Sequence, residues 1–231
     1  MALQHSPSIV TSGLVMCLDA GNPRSYAGSG TTVTDVTGTN NNGILTNSPT
    51  YTSGVNGYFT FDGVDDSLIV SNSSSLKNNN ITIDCVIKNN SSLSGDIIQF
   101  GVGSGSYSQY YLRSFGGNTY WDWFPTNTAF YGEAAVANAS YFPAGTWKNV
   151  VVTGSSDGTV QMFINGVSVG GPTRTATPAV STWTPANLTI GGYTWDGYTT
   201  ASFGYVKIYN IVLSESQVLQ NFNAIRGRYG I

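Results

Sequence analysis

The sequence predicts an all-β fold, a sandwich or barrel of antiparallel strands, with one short helix near the C-terminus. Short runs of alternating apolar and polar residues recur at near-regular spacing, broken by Gly, Asn, Ser and Pro. That is the pattern of half-buried strands joined by turns. Two dipeptides suited to positive backbone φ, Asp157-Gly158 and Asn165-Gly166, separate consecutive apolar runs and predict tight hairpins. The helical segments that a parallel α/β fold needs between strands are missing.

In chain order, strands are expected at 14–19, 58–61, 67–70, 81–88, 96–102, 110–115, 119–124, 147–153, 159–164, 188–191 and 202–209. The run Val167-Ser-Val169 joins the two strands before it in a three-strand meander. Ser214-Glu-Ser-Gln217 is a capping-box pattern, in which the serine accepts from a free backbone N–H and the glutamine reaches back. Val218, Leu219, Phe222 and Ile225 follow as one apolar stripe, and Gly227 is the expected stop. Residues 1–12 read as an N-terminal arm, and 28–42 and 71–80 as polar loops. Neither a repeat nor a change of composition divides the remainder, so residues 13–231 are expected to form one domain.

Composition narrows the function classes. Hydrophobic residues make up 40% of the chain, enough for a core, while charged residues make up only 9%, against roughly 25% in ordinary soluble proteins. Solubility therefore rests on neutral polar groups. The nine Lys and Arg are scattered, with Arg226 and Arg228 the one local pair. A nucleic-acid interface would need a basic stripe. Membrane insertion is excluded by the lack of any apolar run near 18 residues. The first ten residues contain no Lys or Arg, unlike a signal peptide, so synthesis in a cytoplasm without ordinary export is expected. Cys85 shares a strand face with Ile81, Ile83 and Ile87, whereas Cys17 lies opposite Leu14, Met16 and Leu18. The two thiols are therefore expected to stay unpaired.

Catalysis fits the side-chain inventory poorly. Glycoside hydrolysis needs two carboxyl groups across the scissile bond, and the only glutamates are Glu133, read as a loop residue, and Glu215, read as first-turn helix charge. A Ser–His–Asp triad would need His5, the single histidine, which sits in the arm. Calcium is a better fit. Asp62, Asp65 and Asp66 put three carboxylates in five residues, and calcium takes hard oxygen ligands of this kind. The alternative use of the same residues is to brace the Gly63 turn.

Aromatic residues give the strongest binding signal. Tyr107, Tyr110, Tyr111, Tyr120, Trp121, Trp123, Phe124, Phe130 and Tyr131 crowd one quarter of the chain. On the strand at 119–124, Tyr120 and Phe124 share one face while Trp121 and Trp123 take the other. One face must be core, and flat rings on the other could stack on a sugar or on a second subunit. Trp121 and Trp123 are the candidates there, and Tyr193, Trp195 and Tyr198 form a second set around Asp196-Gly197.

Several segments, in order, resemble the concanavalin A-like, laminin G-like jelly rolls. Ser12-Gly-Leu-Val-Met-Cys-Leu-Asp-Ala-Gly-Asn-Pro23 resembles their opening strand, and Asn41-Asn-Gly-Ile-Leu45 the element after it. Phe59-Thr-Phe-Asp-Gly-Val-Asp-Asp66 is similar to their F-x-F-D-G-x-D-D strand and turn. Trp147-Lys-Asn-Val-Val-Val-Thr153 with Val160-Gln-Met-Phe-Ile-Asn-Gly166 is similar to their W-x-x-V-x-x-T hairpin, and the segment 203–218 to their closing strand and helix. The resemblance covers residues 12–231 and implies an antiparallel two-sheet jelly-roll sandwich with one short C-terminal helix. It also implies that a calcium ion is common in such domains. Laminarinase-type relatives carry Glu-x-Asp-x-x-Glu on one strand, which is absent here, so no enzyme is expected. The ends of the chain resemble versions in tailed-phage structural proteins. That implies a virion protein, a head decoration, head fibre or tail-fibre component. Its expected partners are other virion proteins, copies of itself and host or environmental glycans. The alternative is a carbohydrate-binding lectin or adhesion module outside a cell.

Overall fold

The computed structural model describes residues 7–101, 109–124, 130–170, 173–176, 186–193 and 197–231, with side chains for all but 130, 131, 173–176 and 193. The first part of the chain forms β1 Leu14–Asp19, β2 Thr32–Val33, β3 Gly43–Thr46, β4 Thr50–Thr52, β5 Tyr58–Thr60 and β6 Ser67–Val70. β7 Ile81–Asn89, β8 Gly95–Phe100, β9 Tyr110–Phe115, β10 Asn118–Trp123 and β11 Phe130–Ala137 follow, then the one-turn α1 Asn138–Tyr141. Next come β12 Trp147–Gly154, β13 Val160–Ile164, β14 Val167–Gly170, β15 Thr173–Ala176, β16 Leu188–Ile190, β17 Gly192–Tyr193, β18 Gly197–Tyr198 and β19 Ala201–Tyr209. The helix α2 Glu215–Tyr229 closes the chain. Among the described residues no helix is long and apolar enough to cross a membrane.

All strands but β17 and β18, which pair with each other, join antiparallel into two sheets, the expected jelly-roll sandwich. The smaller runs β14-β13-β12-β7-β19-β5-β4, with β1 also on β19, and the larger runs β15-β11-β10-β9-β8-β16-β6-β3-β2. β19 serves two neighbours in turn. Ser202 and Phe203 pair with β5, a bulge follows between Phe203 and Tyr205, and the rest pairs with β1. Between the sheets lie Ile81, Ile83, Cys85, Ile87, Val150, Val152, Val206 and Ile208 from one side, and Leu112, Trp121, Trp123, Leu188 and Ile190 from the other, all nearly inaccessible. This core is the main source of stability, since each fully buried large apolar side chain contributes about 1.5–3 kcal/mol.

The meander β12–β13–β14 forms as expected. Asn165 (φ 52°) and Gly166 (φ 75°) make its two-residue turn. The Asp157-Gly158 connection is longer than expected. Only Gly158 adopts positive φ (82°), in a loop between Gly154 and Val160 closed by Ser155 N–H donating to Thr159 O. The capping box forms, with Ser214 Oγ accepting from Gln217 N and Gln217 Oε1 accepting from Ser214 N. Gly227 does not stop the helix. It continues to Tyr229, and Gly230 (φ 68°) is the left-handed cap, its N–H donating to Arg226 O. Leu219 also leaves the expected stripe, being 46% exposed, while Asn221 and Tyr229 join the buried side. Both cysteines are free and buried. Burial pushes the Cys17 thiol up to about 11, and the Cys85 thiol rises further for the same reason.

Candidate ligand-binding face and a closed counterpart

The outer face of the smaller sheet is covered by α2 and the segment at 7–10. Asp84 of β7 is wholly buried there. It accepts from Tyr205 Oη (2.8 Å), Asn149 Nδ2 (2.7 Å) and Asn221 Nδ2 (3.0 Å), and Lys207 Nζ lies 3.7 Å away. The ammonium also sits 3.7 Å from the centre of the Tyr205 ring. Burial, followed by the Asp84 charge, raises the Tyr205 phenol well above its usual value, so it stays a donor. Asn221 extends the network outwards. It donates to Tyr209 Oη and accepts from Val10 N–H, while Tyr209 Oη donates to Val10 O. The described part of the expected arm is thus tied down along α2, with Gln220 Nε2 donating to Ser8 O. A carboxylate buried this deeply is tolerated only when paired and hydrogen-bonded; Asp84 is both, whereas Lys207 Nζ is held by that charge and the Tyr205 ring without a hydrogen bond.

The outer face of the larger sheet carries side chains that reach solvent. Alternation on β9 and β10 points Tyr110, Leu112, Trp121 and Trp123 inwards, and Tyr111, Arg113, Tyr120 and Asp122 outwards. Register places Tyr111 beside Asp122, and Arg113 beside Tyr120. Arg113 Nε bonds Asp122 Oδ2 at 2.9 Å, and its guanidinium lies 4.8 Å from the Tyr111 ring centre and 5.4 Å from that of Tyr120. The two half-buried tyrosines therefore flank a planar cation that an ion pair holds in place. Gln99 and Thr189 continue the Tyr111 row across β8 and β16, and Ile69 and exposed Ile44 extend it across β6 and β3. On the other side Glu133 of β11 is the register partner of Asp122. Glu133 is a strand residue, not the loop residue expected. The Ala-rich run around it has low strand propensity, and neighbouring strands supply what it lacks.

This arrangement corrects the expected stacking platform. Trp121 and Trp123 are fully buried. Their indoles stack at 6.4 Å and span the core, Nε1 of each donating to Thr153 O and Ser155 O respectively. Gly154 between those carbonyls is required, because a Cβ there would meet the Trp123 ring at 2.6 Å. Of the second set, Tyr198 is half-buried on β18, Tyr193 is described by its backbone alone, and Trp195 lies outside the described residues, as does His5. A signal for the true orientation was present in the sequence. Asp122 shares a face with Tyr120, which marks that face as the outer one, although the carboxylate itself is buried against Arg113.

Asp62, Asp65 and Asp66 do come together. Their ligand oxygens lie within 4.8 Å of one another, with Asp62 and Asp65 exposed and Asp66 buried. Asp62 also braces the turn, its Oδ1 accepting from Val64 N (2.8 Å), and Asp66 Oδ2 accepts from Asp62 N (3.2 Å). Burial first, and the Asp62 charge second, raise the Asp66 carboxyl above its usual value. A divalent cation would relieve this repulsion, so the donor set fits calcium.

The chain belongs to the concanavalin A-like lectin/glucanases superfamily. The family model of that description matches residues 62–219. No curated protein matches in sequence. Among solved structures, the chain is similar to Trypanosoma rangeli sialidase in complex with sialic acid (TM-score 0.68, 16% identity, 96% of this chain and 36% of that one). It is also similar to the receptor binding domain of a botulinum neurotoxin C/D mosaic serotype (0.68, 17%, 91% and 51%) and to the binding domain of Paraclostridial Mosquitocidal Protein 1 (0.66, 14%, 92% and 52%). The chain spans between a third and about half of these structures, and at such identities the likeness is one of fold.

Proposed function

We propose that this concanavalin A-like domain binds glycans on the open face of its larger sheet and works as a binding module, not as an enzyme. The observation that carries the reading is the Tyr111–Arg113–Tyr120 ladder with Asp122. Half-exposed rings offer flat apolar surfaces to the C–H faces of a sugar, and the Arg113 guanidinium beside them, held by buried Asp122, supplies donors for hydroxyls. Binding domains and a sialidase among the similar folds support the ligand class. The Asp62–Asp66 turn is the calcium site of this reading. The resemblance of the chain ends to tailed-phage structural proteins supports placement on a virion surface. There it would assemble with other virion proteins and with its own copies.

A glycan array read with the wild type and with a Tyr111→Ala/Tyr120→Ala variant tests the ligand claim. Binding that the double variant abolishes supports it, and binding that survives the double variant, or none by the wild type, sinks it. Light scattering with and without a chelator tests assembly. A defined oligomer supports the virion placement, and a monomer moves the protein to the lectin alternative. A second reading, glycoside cleavage, rests on Asp122 and Glu133 being cross-strand partners, the spacing class of a carboxylate dyad. Asp122 is 1% exposed and bound to Arg113, which favours a structural role. Release of reducing ends from a bound oligosaccharide would establish the hydrolase instead.

A further inference from the structure

Beyond the C-terminal end of α2 the outer face of the smaller sheet is uncovered again. Three half-buried side chains from three strands meet there, Tyr58 of β5, Lys88 of β7 and Trp147 of β12. Trp147 and Lys88 are register partners. The Tyr58 and Trp147 rings meet edge to face at 5.2 Å, and Lys88 Nζ lies 4.7 Å from the first ring centre and 5.2 Å from the second. Tyr229, the last residue of α2, backs Trp147 at 5.2 Å.

Lys88 differs from the other cations packed on this sheet. Lys207 has Asp84, and Arg228 has Asp19. Lys88 has no ion-pair partner among the described residues, only the two rings. Cation–π attraction to the two rings offsets only part of the entropy lost in immobilising a lysine side chain. The strip thus presents a pinned, uncompensated positive charge against two aromatic surfaces. Next to it stands the half-buried Thr60 hydroxyl, 2.9 Å from the Oγ of Ser202, the fully buried β19 register partner of Lys88.

We propose that Tyr58, Lys88 and Trp147 form a second binding site, on the sheet opposite the ladder, for a sugar ring that carries one anionic group. The ammonium donates to the anion, the rings take the apolar face of the sugar, and the half-buried Thr60 meets one of its hydroxyls. A single lysine suits one carboxylate or one sulfate and not a polyanion, which would need a basic run.

Titration calorimetry of the full chain tests this with three probes: a uronic-acid disaccharide, a monosulfated disaccharide and a neutral disaccharide of the same linkage. The expected result is that an anionic probe binds at least about tenfold more tightly than the neutral one, with a preference that weakens as salt rises from 50 to 500 mM. The uronate and sulfate arms identify which anion is taken. Lys88→Met, which keeps the stem on the rings, should remove the preference, and Lys88→Arg should retain most of it. Tyr111→Ala/Tyr120→Ala should leave it intact, so failure of the open-face reading does not touch this one. Equal affinity for charged and neutral probes, no binding of either anionic probe, or an unchanged preference in Lys88→Met would overturn the proposal. A matching thermal midpoint of Lys88→Met shows that the loss is not unfolding.

Discussion

The two outer faces of the sandwich each carry an ion pair beside tyrosines, yet they do opposite things. On the smaller sheet Asp84, Lys207 and Tyr205 lie beneath α2, sealed from water. On the larger sheet Asp122, Arg113, Tyr111 and Tyr120 have no helix above them among the described residues, and the Arg113 side chain keeps 25% exposure. The same chemical ingredients therefore become a structural lock where an element covers them and half-exposed rings, the recognition surface of our proposal, where no described element does. Burial, not residue type, assigns the role.

Mutation separates the faces most sharply where burial is deepest. Asp84→Ala should cost about 3–5 kcal/mol in urea unfolding, because it strands a buried ammonium and three donors at once. Trp121→Ala should cost a similar ~3–5 kcal/mol, and its purified folded fraction should bind glycan like the wild type. A selective loss of binding without loss of stability would return Trp121 to the surface. Ser214→Ala loosens the cover itself and should cost about 1 kcal/mol, with faster hydrogen exchange at Val218–Ile225. On the open face Tyr111→Ala and Tyr120→Ala should each change stability by only roughly 0.5–1 kcal/mol while removing most affinity.

The smallest effects concern titration. Asp66 has its folded pKa raised above the unfolded value by burial and by Asp62. The folded state therefore binds the proton first, and this group favours folding increasingly as pH falls through its folded pKa towards the unfolded one. Above that window it opposes folding. Asp66→Asn should accordingly stabilise the calcium-free protein by some tenths of a kcal/mol at neutral pH and abolish any stabilisation by added calcium. A calcium-dependent rise in melting temperature that survives the substitution would remove the turn from consideration.

The sequence made the fold readable because alternation, turn dipeptides and the capping box are local signals, and the core residues of β7, β12 and β19 follow from them directly. What escaped it depended on non-local contacts. β3 and β4 are too short to show a period, and β11 is too rich in alanine. The helix passed its expected glycine stop because Tyr229 gains a pocket beside Tyr205 and Trp147. The choice of face on β10 was available from Asp122 alone, but aromatic bulk outweighed one carboxylate. The Asp84 network was invisible, since its members, Asp84, Asn149, Lys207 and Asn221, are far apart in the chain and look like ordinary surface residues until α2 closes over them.

The tie between Val10 and α2 has a practical corollary. Ile9 and Ile231 pack on the same small apolar cluster, so both ends of the described chain lie on the closed side. A linker or an immobilising tag at either end would leave the Tyr111–Tyr120 ladder pointing away from the support.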